Sequence, residues 1–155
     1  MIFKEAIKKI VVGIKQTQRI KEIKRAAARI TKERIVKDLR KLGLKEGDDV
    51  LLHSSLKSIG YVEGGARTVI HAIVDVISLS GTLIVPTYSV KGTMYATCKT
   101  KDYIFNPHSS PTGLGHIPAA FLKFPNKYRS IHPTHSVSAI GKNAKFITED
   151  RKSVV

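Results

Sequence analysis

The sequence has one cysteine, no tryptophan, and only 12 acidic residues against 27 lysines and arginines. A single thiol, Cys98, excludes an internal disulfide and a multi-cysteine metal site. Outside any nucleophile motif, a lone cysteine reads as a small buried hydrophobe, and the composition fits a reducing cytoplasm. Long apolar runs are missing too. The longest early one, Ile10 to Val12, is too short for a signal-peptide core or a membrane span, so a cytosolic chain is expected. What remains is 155 residues, 42% hydrophobic, enough to build the core of one domain or of part of a larger one.

The shortage of acidic residues leaves a net charge of +15, unevenly spread. Residues 1–30 carry nine Lys/Arg and two Glu; residues 31–155 carry eighteen against ten. Nearly half of the excess therefore lies in the first fifth of the chain, as expected of a basic segment attached to a milder domain. Phe3, Ile7, Ile10 and Ile14, then Ile20, Ile23, Ala27 and Ile30, recur at three- and four-residue steps and describe a basic amphipathic helix. Such a helix suits packing on its own domain or a second subunit, or peripheral contact with an anionic membrane. The lack of an aromatic belt or base-reading motif argues against nucleic acid as partner.

Beyond residue 30 the pattern alternates. Thr31 is placed to cap a helix carrying Ile35, Leu39 and Leu42, with Gly43 at its end. Val50-Leu51-Leu52 reads as a short buried strand, Ala66 to Ile77 as a helix, and Thr82 to Val85 as a second buried strand closed by Pro86. Strand, helix and strand at this spacing form a βαβ unit with a parallel pair. Residues 91–112 are polar and irregular, a helix with Pro118 in its first turn is expected over 115–124, and Val137 to Ile140 reads as a third strand.

Three stretches could carry chemistry. The first is His53-Ser54-Ser55-Leu56, at the end of a strand, followed by Gly64-Gly65 just ahead of a helix that opens with Arg67, Thr68 and Val69. Ligands of open α/β sheets bind beyond the carboxyl ends of strands, and amides at a helix start attract phosphate. A nucleotide pyrophosphate or pantetheine fits there; the plainer reading is a tight turn. The second is His132-Pro133-Thr134-His135-Ser136, ahead of a strand. Pro133 argues against the helix that a zinc pair at this spacing needs, so no metal is expected, and a general-base or oxyanion role suits one histidine better. The third, Phe105 to Gly115, reads alone as a turn-rich loop.

Taken in order, these stretches carry a resemblance. His-Ser-Ser-Leu-x-x-Ile-Gly-x-Val-Glu-Gly-Gly-Ala-x-Thr-Val-Ile leads to Gly-Thr-Leu-x-x-Pro-Thr, then Phe-Asn-Pro-x-x-Ser-Pro-Thr-x-x-Gly and Arg-Ser-x-His-Pro-Thr-His-Ser-Val. From about Thr31 to Asp150 the chain resembles the aminoglycoside 3-N-acetyltransferase family of antibiotic N-acetyltransferases. The resemblance implies an α/β fold of that family's own type, not the GNAT fold, and acetyl transfer from acetyl-CoA to an amine on an aminoglycoside or other amino sugar. It places CoA against His53, Ser54, Ser55 and Leu56 and the helix start at Thr68 and Val69, with Gly65 serving the phosphates. The acetyl end falls to His132 to Ser136, with Ser136 against the cofactor; His135, or else His132, is the candidate to substitute for the base that the family carries further along.

Two departures accompany it. Asn106 stands where the family usually has Asp, and the family runs on past the point matching Asp150 to a Thr-x-x-His segment whose histidine looks like the catalytic base. The expectation is thus an incomplete sheet, with residues 1–30 a basic helical extension and 31–155 the N-terminal part of an acetyl-CoA-dependent N-acetyltransferase domain, truncated and impaired. The rival readings are a non-catalytic CoA-binding or unstable fragment, and a basic protein of nucleic-acid or membrane surfaces.

Overall fold

The computed structural model describes residues 29–90 and 92–149. Up to residue 28, the expected basic helix lies outside them. Arg29 and Ile30, counted by composition with that segment, are tied to the domain. Ile30 forms a parallel bridge to Val62, through Ile30 N–H to the Tyr61 carbonyl and Glu63 N–H to the Ile30 carbonyl, both at 3.0 Å. Its side chain packs on the core, and Arg29 meets Glu63 at 3.3 Å.

Helix α1 (Lys32–Lys41) starts where its cap predicts: the Thr31 hydroxyl accepts from Arg34 N–H at 3.3 Å, and Glu33 lies in the first turn. Ile35 and Leu39 pack against the core. Leu42, expected on the same stripe, is the C-cap and is exposed, because Gly43 turns the chain away at φ +93°. Strand β1 (Asp49–Leu51) follows; the Leu52 amide extends its pairing to the Ile84 carbonyl at 2.9 Å. It was expected to be buried, yet Leu51 is exposed, because β1 is an edge strand. A short helix, α2 (Leu56–Ile59), leads to α3 (Ala66–Ile77), which turns Val69, Ile70, Ile73 and Ile77 inward.

Strand β2 (Thr82–Pro86) pairs in parallel with β1, in the register Val50 to Leu83, completing the βαβ unit. The polar stretch after it holds a helix that its composition conceals, α4 (Met94–Lys99), capped by the Thr93 hydroxyl on Ala96 N–H. Cys98, expected to be buried, is exposed on α4, whose buried residue is Thr97. Helix α5 (His116–Phe121) has Pro118 in its first turn and buries Ile117 and Phe121. Strands β3 (Tyr128–Arg129) and β4 (Val137–Gly141) and helix α6 (Ala144–Glu149) complete the described chain. The mixed sheet has the order β1-β2-β4-β3, with β4 antiparallel to both neighbours. Leu83, Val85 and Ile140 from the sheet, the apolar stripe of α3, and Ile117 and Phe121 of α5 form one core.

At the lower end of the sheet, β4 finishes against the start of β2 with no room to spare. Gly141 has φ +109°; a methyl there would run into the Gly81 carbonyl and stand 2.9 Å from Thr82 Cα. Gly141→Ala is therefore expected to lower stability by about 2 kcal/mol, from left-handed strain plus displacement of backbone. Urea unfolding checks this, and an unshifted midpoint contradicts it.

Candidate active site

The connectivity brings the first two sequence stretches to one end of the sheet. His53 leaves β1 at its carboxyl end, Thr87 leaves β2 at the same end, and β4 enters there, because Thr87 N–H donates to the Ser136 carbonyl at 2.9 Å. His53, Ser54 and Ser55 are exposed; Leu56 is half-buried and packs on the core. The loop returns through Gly64 and Gly65, at φ +74° and +67°, into α3. Gly65 is the N-cap and supplies no side-chain cap, so the first amides of α3 get no such acceptor. A methyl on Gly64 would collide with Thr68 Oγ1, whereas one on Gly65 meets nothing within 4 Å. Thr68 is half-buried, and Val69 is buried in the core, which leaves only its backbone for a ligand.

The second stretch is knitted from within. His132 Nδ1 accepts from the backbone amides of Thr134 at 3.3 Å and His135 at 3.0 Å. Accepting two N–H groups requires an unprotonated Nδ1, so the neutral ring carries its proton on Nε2. Thr134 Oγ1 lies 3.0 Å from His135 Nδ1, which fixes that ring with Nε2 as its other nitrogen. His135 meets the Tyr88 ring edge-on at 4.8 Å and the His132 ring at 5.6 Å. Ser136 is fully buried: its hydroxyl donates to the Thr87 carbonyl at 2.9 Å and lies 3.3 Å from Arg129 Nε. The Tyr103 hydroxyl donates to the Pro133 carbonyl at 2.9 Å, which braces the loop.

The third stretch is held over this end of the sheet by a residue whose role the sequence does not reveal. Arg129 donates to the carbonyls of Thr87 at 2.7 Å, Pro107 at 3.4 Å and Ser110, and to the Ser89 hydroxyl at 2.8 Å. Its guanidinium lies 5.0 Å from the Phe105 ring centre. No carboxylate pairs with it among the described residues, and burial lowers its pKa from the ordinary arginine value. The turn it grips is internally bonded: Asn106 Oδ1 accepts from His108 N–H at 2.8 Å, and Ser110 Oγ accepts from Asn106 N–H at 2.9 Å. The asparagine side chain is thus used as a backbone acceptor, which the uncharged amide does as a carboxylate would. Among the described residues no three His, Cys, Asp or Glu side chains group as metal ligands, and no helix is long and apolar enough to cross a membrane.

Comparison with known proteins gives this arrangement a context. The family profile of aminoglycoside 3-N-acetyltransferases matches residues 51–154. The SPbeta prophage-derived aminoglycoside N(3')-acetyltransferase-like protein YokD of Bacillus subtilis (strain 168) is 41% identical over 132 residues, 76% of this chain and 48% of its own. Aminoglycoside N(3)-acetyltransferase IX of Micromonospora chalcea is 35% identical, over 74% of this chain and 45% of its own. Among solved structures, aminoglycoside acetyltransferase AAC(3)-Xa superposes with a TM-score of 0.74 at 32% identity, covering 86% of this chain and 51% of that one. A variant of AAC(3)-IVa in complex with a gentamicin gives 0.68 at 30% identity, covering 79% and 45%. AAC-IIIb, solved as a binary complex with CoASH, shares the fold at 0.68 and 24% identity, covering 79% and 50%. The chain spans about half the length of the curated relatives it matches. With the motifs, the fold and these likenesses agreeing over the same residues, the chain belongs to the aminoglycoside 3-N-acetyltransferase family.

Proposed function

We propose that the chain is an acetyl-CoA-dependent N-acetyltransferase acting on an amine of an aminoglycoside or related amino sugar, and that the described residues form its CoA-holding side. The observation that carries this is the start of α3, uncapped behind two left-handed glycines beside the exposed His53-Ser54-Ser55 loop. Amides at a helix start and the helix dipole suit a pyrophosphate. In this reading Gly65, Thr68 and the Val69 backbone face the phosphates, and His53 to Leu56 line the pantetheine arm. Family membership and the CoASH-bound relative of the same fold support the assignment.

The reaction sets the demands on the other side. An alkyl amine titrates near about 10, so most of it is protonated at neutral pH and lacks the lone pair it needs. A base must take that proton before nitrogen attacks the thioester carbonyl. The C–N bond then forms, the C–S bond breaks, and the proton that the attacking nitrogen loses passes to the departing thiolate. His135, fixed through Nδ1 by Thr134, presents Nε2 as the candidate for proton transfer at the acetyl end. Ser136, with its hydroxyl committed to Thr87 and Arg129, contributes by holding the β4 entrance beneath the thioester.

The test is calorimetric titration of CoA into the 155-residue chain, followed by thiol release from acetyl-CoA with and without a gentamicin-type amine. CoA binding is expected, with amine-dependent thiol release that is slow, because His135 stands in for the base the family carries further along. Absence of CoA binding sinks the whole reading; binding without amine-dependent release keeps the CoA side and removes the transferase activity from this chain.

A further inference from the structure

We infer that the outward face of α1 and the turn after it form a surface that rests on an anionic lipid bilayer, with Lys37, Arg40, Lys41 and Lys45 against the headgroups and Leu42 at the edge of the acyl chains.

Charge is concentrated here. Residues 32–45 hold six Lys/Arg against two acidic residues, an excess of four in fourteen positions, whereas residues 46–149 hold ten against seven, an excess of three in 104. Much of what could cancel is already engaged: Asp38 pairs with Arg34 at 3.7 Å, and Asp75 of α3 with Lys32 at 2.8 Å. Among the described residues Lys37, Arg40, Lys41 and Lys45 have no ion-pair partner. Lys37 and Lys41, one turn apart, stand on the side of α1 away from Ile35 and Leu39, which pack on the core. Arg40 and Lys41 also suit the dipole at the helix end, but Lys37 and Lys45 lie outside the last turn, so the dipole does not account for the cluster. An open groove of about 670 Å³, lined by α1 from Lys32 to Lys41 and by Asp75, runs beside these cations and has Val36 in its lining.

The second observation is apolar. Leu42, between Lys41 and Gly43, is 83% exposed, the most exposed large hydrophobic among the described residues. Leu79, 66% exposed, lies on a turn bonded to this one: Gly47 N–H donates to the Ile77 carbonyl at 2.9 Å, and the Ser80 hydroxyl to Glu46 at 3.4 Å. Leucines bare to water beside unpaired cations are what a bilayer surface accommodates, since its headgroups take the charge and the acyl boundary takes the side chain. A nucleic-acid backbone matches the cations but has no place for the leucines, and α1 carries no aromatic ring to stack on a base. Placement agrees. Strand β1 starts directly after this turn, so the surface lies at the end of the sheet opposite the candidate site and leaves that site open to water.

The test is cosedimentation of the full chain with vesicles of phosphatidylserine mixed into phosphatidylcholine, against vesicles of phosphatidylcholine alone. The anionic vesicles are expected to bind about tenfold more tightly or better, with the difference shrinking as salt rises. Lys37→Gln/Lys41→Gln should weaken binding to the anionic vesicles about tenfold. Lys101→Gln/Lys123→Gln removes the same charge at exposed positions elsewhere and should weaken it less than about threefold. The sequence has no tryptophan, so Leu42→Trp supplies a single fluorophore, whose emission should move to the blue on anionic vesicles and stay in place on neutral ones. Equal affinity for the two kinds of vesicle overturns the inference, as does binding that the α1 pair leaves intact. A loss in the control pair as large as in the α1 pair reduces the effect to net charge and overturns it, and so does an unshifted tryptophan in vesicle-bound protein. Binding of a nucleic-acid duplex that the α1 pair abolishes, with vesicle binding kept, assigns the surface to nucleic acid instead.

Discussion

Replacing Arg129 with alanine is expected to lower stability by about 3 kcal/mol or more and to loosen the 105–111 loop, the largest change from any single charged side chain among the described residues. The guanidinium bonds to the Thr87, Pro107 and Ser110 carbonyls and to the hydroxyls of Ser89 and Ser136, so one side chain joins the end of β2, the entrance of β4 and the loop above them. Taking it out of water is costly, as its lowered pKa records, and the cost is offset only because its donors meet so many acceptors. Without it, the Ser110 and Pro107 carbonyls lose a charged donor, and the ring of Phe105 loses the cation above it. Arg129→Lys should recover little, since a compact ammonium with three donors cannot span acceptors on three segments. Urea unfolding gives the stability, and amide exchange at Ser109 and Ser110, both bonded to the Asn106 carbonyl, reports the loop. Unchanged exchange at those amides in Arg129→Ala would refute the clamp even if stability fell.

Arg129 also shows why part of the site is invisible in the sequence. It heads one of the family-resembling motifs, yet its main partners are carbonyls, which every residue has and no residue type announces. Legible features were those with a local signal. The Thr31 cap, the α3 stripe and the β1-α3-β2 unit each follow from side-chain type at fixed spacing, and each stands as expected. Features of two to six residues left no period to detect: α2, α4, β3 and α6 were all unforeseen. The direction of β4 had no signal either, since antiparallel pairing is set by where the chain returns. Burial misled where edges intervened, as at Leu51 on the outer strand and Cys98 on a surface helix.

The candidate site divides along the same line. The glycine pair before α3 could be read as a tight turn into a helix, because positive-φ glycines and a helix start leave a trace in sequence, and its role toward phosphate belongs to the proposal. The tautomer of His132 and the anchoring of His135 could not, because they arise from a turn in which the backbone folds back on its own side chains.

Gly65→Pro is the substitution expected to do most harm to CoA binding, weakening it by more than about a hundredfold. Gly65 has φ +67°, and proline is confined near about −65°, so the turn into α3 cannot be kept. Proline also deletes the amide that Gly65 donates to the Val62 carbonyl at 3.0 Å, the bond that closes the turn. The first amides of α3 then lose the orientation on which phosphate contact depends. A milder variant separates this local effect from unfolding. Gly65→Ala retains the N–H, and its methyl meets no atom within 4 Å, so its cost to stability is the backbone strain of about 1–3 kcal/mol that a side chain meets at φ +67° and ψ −142°. With the pyrophosphate in that open space, as proposed, the methyl should still weaken CoA binding while the protein unfolds cooperatively. Calorimetric titration of CoA into the parent chain and both variants, with thermal melts alongside, is the measurement. Equal affinity in a folded Gly65→Pro, or an unaffected Gly65→Ala, moves the phosphates away from the head of α3.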